Sequence, residues 1–129
     1  MSPAAFLYRI ADQSDWDRAQ QTGFFASPDL ANEGFIHCSH QTQILETARR
    51  YYAGRRDMVL LEIDEARLLA AGVRVEREWV QARGQAFAHV FGPIPLTAII
   101  RPLPFQPGAD GAFALPAELA GSRQPPGSS

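Results

Sequence analysis

Apolar and polar positions alternate along Phe6-Leu7-Tyr8-Arg9-Ile10, which predicts a short first strand. Ser14-Asp15-Trp16-Asp17 follows, with an acid three residues after the serine, the pattern of a capped helix start. That helix is expected to bury Trp16 and Ala19 and to stop at Gly23, which can take the left-handed cap conformation. From Phe24 to Glu33 the pattern gives way to turn signals, Ser27-Pro28-Asp29 and Asn32-Glu33-Gly34, and predicts a loop. Phe35 to Cys38 reads as a short strand. Ser39 then caps a second helix that runs to about Ala53 and closes at Gly54. In it Ile44, Leu45, Ala48, Tyr51 and Tyr52 share one face, while Gln43, Glu46, Arg49 and Arg50 lie off it. The run from Asp57 to Ile63 is apolar enough for the centre of a sheet. Asp64 caps a short helix through Ala71, ended by Gly72, and Val73–Val80, Ala86–Phe91 and Thr97–Leu103 complete the strands. Strands outnumber helices and the helices come early, so the fold class is α+β with a curved, mostly antiparallel or mixed sheet. Residues 1–105 form one domain on this reading; 106–129, rich in Pro, Gly and Ser, form a partly disordered tail.

Composition narrows the function without giving it. The net charge of −2 lacks the basic surplus of a general nucleic-acid coat. No apolar run is long enough to span a bilayer, and no signal peptide is apparent. Cys38 is the single cysteine, so no internal disulfide forms, and a cytoplasmic location is expected. All 12 basic residues are Arg, which suits phosphate and carboxylate recognition and removes Schiff-base chemistry on a lysine. Base composition of the source genome is the plainer reason for that bias.

Three histidines, His37, His40 and His89, lead the candidates for chemistry. His37 and His89 each sit on a predicted strand beside aromatic residues, as proton shuttles or as hydrogen-bond partners of sugars and phosphates. Alternatively, each is a core-edge histidine satisfied by a backbone carbonyl. His40, at a helix start, is read as facing solvent. No metal site is expected, because His37 and Cys38 point to opposite faces of a strand and no paired-cysteine spacing exists. Cys38 reads as a small buried hydrophobe rather than a nucleophile. Ser39 is a nucleophile candidate beside His37 that helix capping also explains. Glu76 and Glu78 share one strand face, either as polarising carboxylates or as a solvated sheet surface. No glycine-rich phosphate loop is present.

Taken in order, Tyr8-Arg9-Ile10, Trp16, Gly23, Gly34-Phe35-Ile36-His37-Cys38-Ser39, Gln43, Tyr51-Tyr52, Leu60-Leu61, Glu76 and Phe87-Ala88-His89-Val90-Phe91-Gly92-Pro93 resemble a small bacterial family, domain-of-unknown-function family 952. The resemblance covers about residues 6 to 104, and Gly-Phe-Ile-His-x-Ser is its most specific part. It implies a fold like that of ADP-ribosyltransferases, a split, curved sheet clasping a cleft. Phe35 to Ser39 is also similar to the His-x-His-Leu-Ser segment of NAD-dependent RNA 2′-phosphotransferases, whose second histidine falls on His37. Those enzymes open with His-Gly-Thr where this chain has Tyr8-Arg9-Ile10, and their arginines before the histidine are missing here.

Two functions follow from the resemblance. In an enzyme, His37, Glu76 and His89 are the catalytic set and Tyr8, Arg9, Ser39 and Gln43 bind the ligand, with NAD or a related nucleotide as the cofactor or substrate. Arg9 holds a phosphate, His37 and Ser39 fix the ribose or amide, and Glu76, with Glu78 in reserve, polarises the acceptor. In the alternative, the same cleft binds a nucleotide or phosphorylated ligand without turning it over, as the missing His-Gly-Thr suggests. A purely structural or partner-binding domain is a third, lesser reading.

Overall fold

The run from Met58 to Ile63 has apolar residues on both sides of the chain except at Glu62, and such a strand is stable only with both its faces covered. The computed structural model, which describes residues 6–122, puts it there. In chain order the elements are β1 (Phe6–Asp12), α1 (Gln13–Thr22), β2 (Phe24–Phe25), α2 (Pro28–Glu33), β3 (Ile36–Cys38), α3 (Ile44–Tyr51) and β4 (Met58–Asp64). They continue with α4 (Glu65–Ala70), β5 (Arg74–Val80), β6 (Gln85–Phe91), β7 (Ile94–Pro95), β8 (Ile99–Pro104) and α5 (Ala117–Ser122). Among the described residues, β4 lies between β1 and β8 in one three-stranded sheet, and β6 lies between β3 and β5 in a second. A short β2–β7 ribbon completes the strands, and every named pairing is antiparallel. The class is therefore α+β with open antiparallel sheets; none of the pairings is of the parallel kind a mixed sheet needs. One isolated bridge joins the sheets, where Tyr8 and Ser39 exchange two backbone hydrogen bonds of 2.8 Å.

Two cores flank the first sheet. Val59, Leu61 and Ile63 pack with Leu7 and Ala11 against Ile36, Cys38, Ala88 and Val90 of the second sheet, and Ala19 of α1 and Leu68 of α4 join them. On the opposite face Met58 and Leu60 pack with Ile10, with Ile44 and Ala48 of α3, and with Phe105 and Leu119. Residues 106–122, expected within a tail, return to this second core. Phe113 stacks on Phe105 at 4.8 Å, Gln106 donates to the Met58 carbonyl, and Leu119 is buried. The final stretch, 123–129, lies outside the described residues.

Local chemistry explains the elements and corrects several expectations. Gly23 ends α1 with φ +91°, its N–H returning to the Ala19 carbonyl, and Asp64 caps α4 by accepting from the Ala66 and Arg67 amides. At the first helix Asp12 holds the N-cap position without a side-chain capping bond, and Ser14 lies inside the helix. The expected loop from Phe24 to Glu33 holds β2 and α2: Ser27 is the N-cap, Pro28 occupies the first turn and Gly34 takes the left-handed cap. Ser39 does not cap α3, because its backbone is committed to the bridge with Tyr8. A 3₁₀ turn at Gln41–Gln43 intervenes, closed by the Gln43 side chain accepting from the His40 amide at 2.9 Å. This tighter turn shifts the phase and buries Gln43, which the helical pattern had left outside. No helix among the described residues is long and apolar enough to cross a membrane.

Candidate functional site

Where the β5–β6 hairpin stands away from β1 and α3, a cleft of about 810 Å³ opens. Its walls come from β1, the α2–β3 segment, the second half of α3 and the hairpin. Strand register fills its floor. His37 faces His89 across β3–β6 and Glu76 faces His89 across β5–β6, so three sequence candidates form one row on one face. Cys38 and Ala88 point the other way, into the core.

The row is not joined side chain to side chain as the register alone suggests. His89 turns its Nδ1 to the diagonal neighbour Glu78, whose Oε1 lies 2.6 Å away. Glu76 is half-exposed, bonds to Arg74 and does not line the cleft. Phe35 stacks face to face on His89 at 4.0 Å, and the His37 ring stands edge-on to His89 at 5.3 Å. His89 is only 5% exposed, and its Nε2 has no hydrogen-bond partner among the described residues.

Asp29, in the first turn of α2, organises the other side. Its Oδ2 accepts from the His37 amide at 2.9 Å and from Arg9 at 2.7 Å, and meets His37 Nδ1 at 2.8 Å. The Ser27 hydroxyl donates to its other oxygen. Burial pushes the Asp29 carboxyl up, but the His37 hydrogen bonds and the Arg9 charge more than offset it and hold the group well below the usual carboxylate range. Arg9 spends the same arm on Asp29 and on the His37 carbonyl, so part of the expected phosphate ligand is a strut. Its Nε is buried and has no partner among the described residues.

The remaining expected residues separate. Ser39 lines the cleft, buried, with its hydroxyl 3.3 Å from that of Thr47. Tyr8 lends the cleft only part of its surface: its hydroxyl donates to Glu62, which also accepts from Arg101, on the far side of the first sheet. Gln43 lies outside the lining and donates to Gln85 and to the Ala86 carbonyl, tying α3 to the hairpin. Burial pushes the Cys38 thiol up to about 12, so it is no nucleophile at neutral pH. Burial, with Arg77 nearby, lowers His40, which sits at the turn before α3 and not in the cleft.

Several lining residues were not singled out from the sequence: Asp29, Phe35, Trp79 and Arg83. Arg83 lies at the hairpin tip just before Gly84, whose φ of +67° makes the turn. Its guanidinium sits 4.4 Å over the Phe87 ring and 5.7 Å from Tyr51, donates to Thr47, and has no carboxylate partner among the described residues. A Gly in a short link between two strands was the available signal that Gln81-Ala82-Arg83 forms an exposed tip.

Fold and site together define an α+β protein with a polar, aromatic-rimmed cleft on the open face of its second sheet. The chain belongs to the family described as a protein of unknown function, DUF952, whose model matches residues 10–102. It is similar to protein CC0527 from Caulobacter crescentus. The crystal structure of that protein is 32% identical, aligns over 89% of this chain and 98% of that one, and has a TM-score of 0.76. Its solution structure aligns over 89% of this chain and 97% of that one, at 32% identity and a TM-score of 0.70. No protein of curated function matches the chain.

Proposed function

We propose that the cleft binds a nucleotide-class ligand, with a planar base against the aromatic rim and phosphate or sugar oxygens on the buried nitrogens. One observation carries this reading. Four buried side-chain nitrogens among the described residues lack a partner, and three of them, Arg9 Nε, Arg83 Nε and His89 Nε2, belong to residues lining this cleft. Buried polar groups are nearly always paired, so their convergence calls for a ligand rich in oxygen. Arg83 bonds to Thr47 and has no carboxylate partner among the described residues, which suits an anion. Tyr51 and Trp79 leave 60% and 65% of their surface exposed at the rim, ready to stack a base.

Thermal-shift titration with NAD, ADP-ribose and AMP tests it. Millimolar ligand of micromolar affinity adds about 4 kcal/mol and raises Tm by several degrees. Arg83→Ala is expected to weaken binding about tenfold or more, the worth of a charge-assisted hydrogen bond, while leaving the fold intact. No shift with any of the three ligands overturns the reading.

Binding without ribosyl transfer accounts for Glu76, which stands outside the cleft lining. The second reading, an ADP-ribosyltransferase-like enzyme acting on NAD, draws support from Glu78, which reaches His89. Nicotinamide release that survives Glu76→Gln and fails in Glu78→Gln favours it; no release leaves the binding reading.

A further inference from the structure

Resting on that ligand class, we infer that His89 and His37 form a base and acid pair that cleaves a ribonucleoside phosphodiester through its own neighbouring hydroxyl. Each imidazole presents Nδ1 to a carboxylate, His89 to Glu78 at 2.6 Å and His37 to Asp29 at 2.8 Å. A carboxylate accepts, so both Nδ1 atoms carry hydrogen; His89 Nε2 is left without a partner among the described residues and His37 Nε2 has only Glu33, at 3.5 Å. The rings lie 5.3 Å apart, close enough for two imidazoles to serve two oxygens on one phosphorus.

Their surroundings divide the labour. His89 Nε2 is buried with its lone pair unused, the position of a base. His37 has an acceptor facing each nitrogen, Asp29 at Nδ1 and Glu33 3.5 Å from Nε2, and so can hold protons on both, the position of an acid. The charged groups around the pair are Arg9 from β1, Asp29 and Glu33 from α2, and Glu78 from β5. Because His89 Nε2 has no hydrogen-bond partner among the described residues, its partner is a group the ligand brings, and the 2′-hydroxyl of a ribose beside a 3′-phosphodiester is such a group. Arg83 sits over Phe87, which precedes His89 by two residues on the same face of β6, and is there to balance the charge gathering on the phosphoryl oxygens.

The step balances without a co-reactant. The 2′-oxygen bonds to phosphorus as its proton passes to His89 Nε2, the bond from phosphorus to the 5′-oxygen breaks, and His37 Nε2 protonates that leaving oxygen. The products are a 2′,3′-cyclic phosphate and a 5′-hydroxyl, and the histidines exchange their protons through solvent. Glu78 and Asp29 act as positioning residues.

The test offers the protein a ribodinucleotide, uridylyl-adenosine, and its 2′-deoxy counterpart, with the cyclic phosphate followed by phosphorus NMR. Cleavage of the ribose form alone is expected, at least about 100-fold slower in His89→Gln and in His37→Gln. His37 is half-exposed, so His37→Gln keeps the test valid even where a change at buried His89 disturbs folding. Glu78→Gln is expected to lower kcat and displace the pH–rate profile while KM holds. Calorimetric binding of AMP is measured alongside. Binding with no cleavage, or cleavage that survives both histidine changes, overturns the pair and leaves the ligand class standing. No binding and no cleavage overturns both.

Discussion

The two sheets share a plan and differ in what covers them. Each sets one strand between two antiparallel neighbours, and each central strand gives alternate residues to the core between the sheets, Val59, Leu61 and Ile63 from β4 and Ala88 and Val90 from β6. The other face of β4 lies under α3 and the returning C-terminal segment, whereas Phe87 and His89 on the other face of β6 border the cleft. A face without a covering layer is stable in water only when polar groups share it, and there the chain places two histidines, their carboxylates and a guanidinium. The covered sheet holds the core on both its faces; the half-covered one holds the candidate site.

Substitutions that respect or cross that division sharpen it. Leu61→Ala empties a fully buried site shared by both sheets and is expected to cost about 2–5 kcal/mol in urea unfolding. A loss below about 1 kcal/mol breaks the claim that β4 carries the stability. Asp29→Asn removes the anion that holds Arg9 and His37 and is expected to cost about 1.5–3 kcal/mol at pH 7. Because the folded Asp29 carboxyl lies below its unfolded value, its contribution is full above about pH 4 and is lost as pH falls through the lower folded value. Urea melts at pH 7 and at pH 3 should therefore show the gap between wild type and variant narrowing in acid; a constant gap contradicts the assignment. Tyr8→Phe is the smallest effect, about 1 kcal/mol, since Glu62 keeps Arg101. Nucleotide affinity in that variant should stay unchanged, and a clear loss moves the Tyr8 hydroxyl from the packed sheet to the cleft.

The same division governs what was legible in the sequence. An apolar run such as 58–63 carries its own burial, so β4 was readable, as were helix ends marked by Gly23 and Asp64. Ser27-Pro28-Asp29 was ambiguous because cap residues and turn residues are the same residues, and with α2 the role of Asp29 was hidden. Alternation told that Glu76 and Glu78 share a face, but which of them reaches His89 depends on diagonal pairing across β5–β6, a property of twist and rotamer. Tyr8 and Arg9 were grouped as neighbours in sequence. Neighbours on a strand face opposite ways, and here one serves each sheet's business.

The Tyr8–Ser39 bridge is the backbone ladder between the sheets, and it lies at the margin of the cleft. With the core that the two sheets share, it sets Arg9 on the first sheet beside His37 and His89 on the second. The Arg9–Asp29–His37 contacts span the same two sheets a second time through side chains, so backbone and side chains brace one wall of the cleft together.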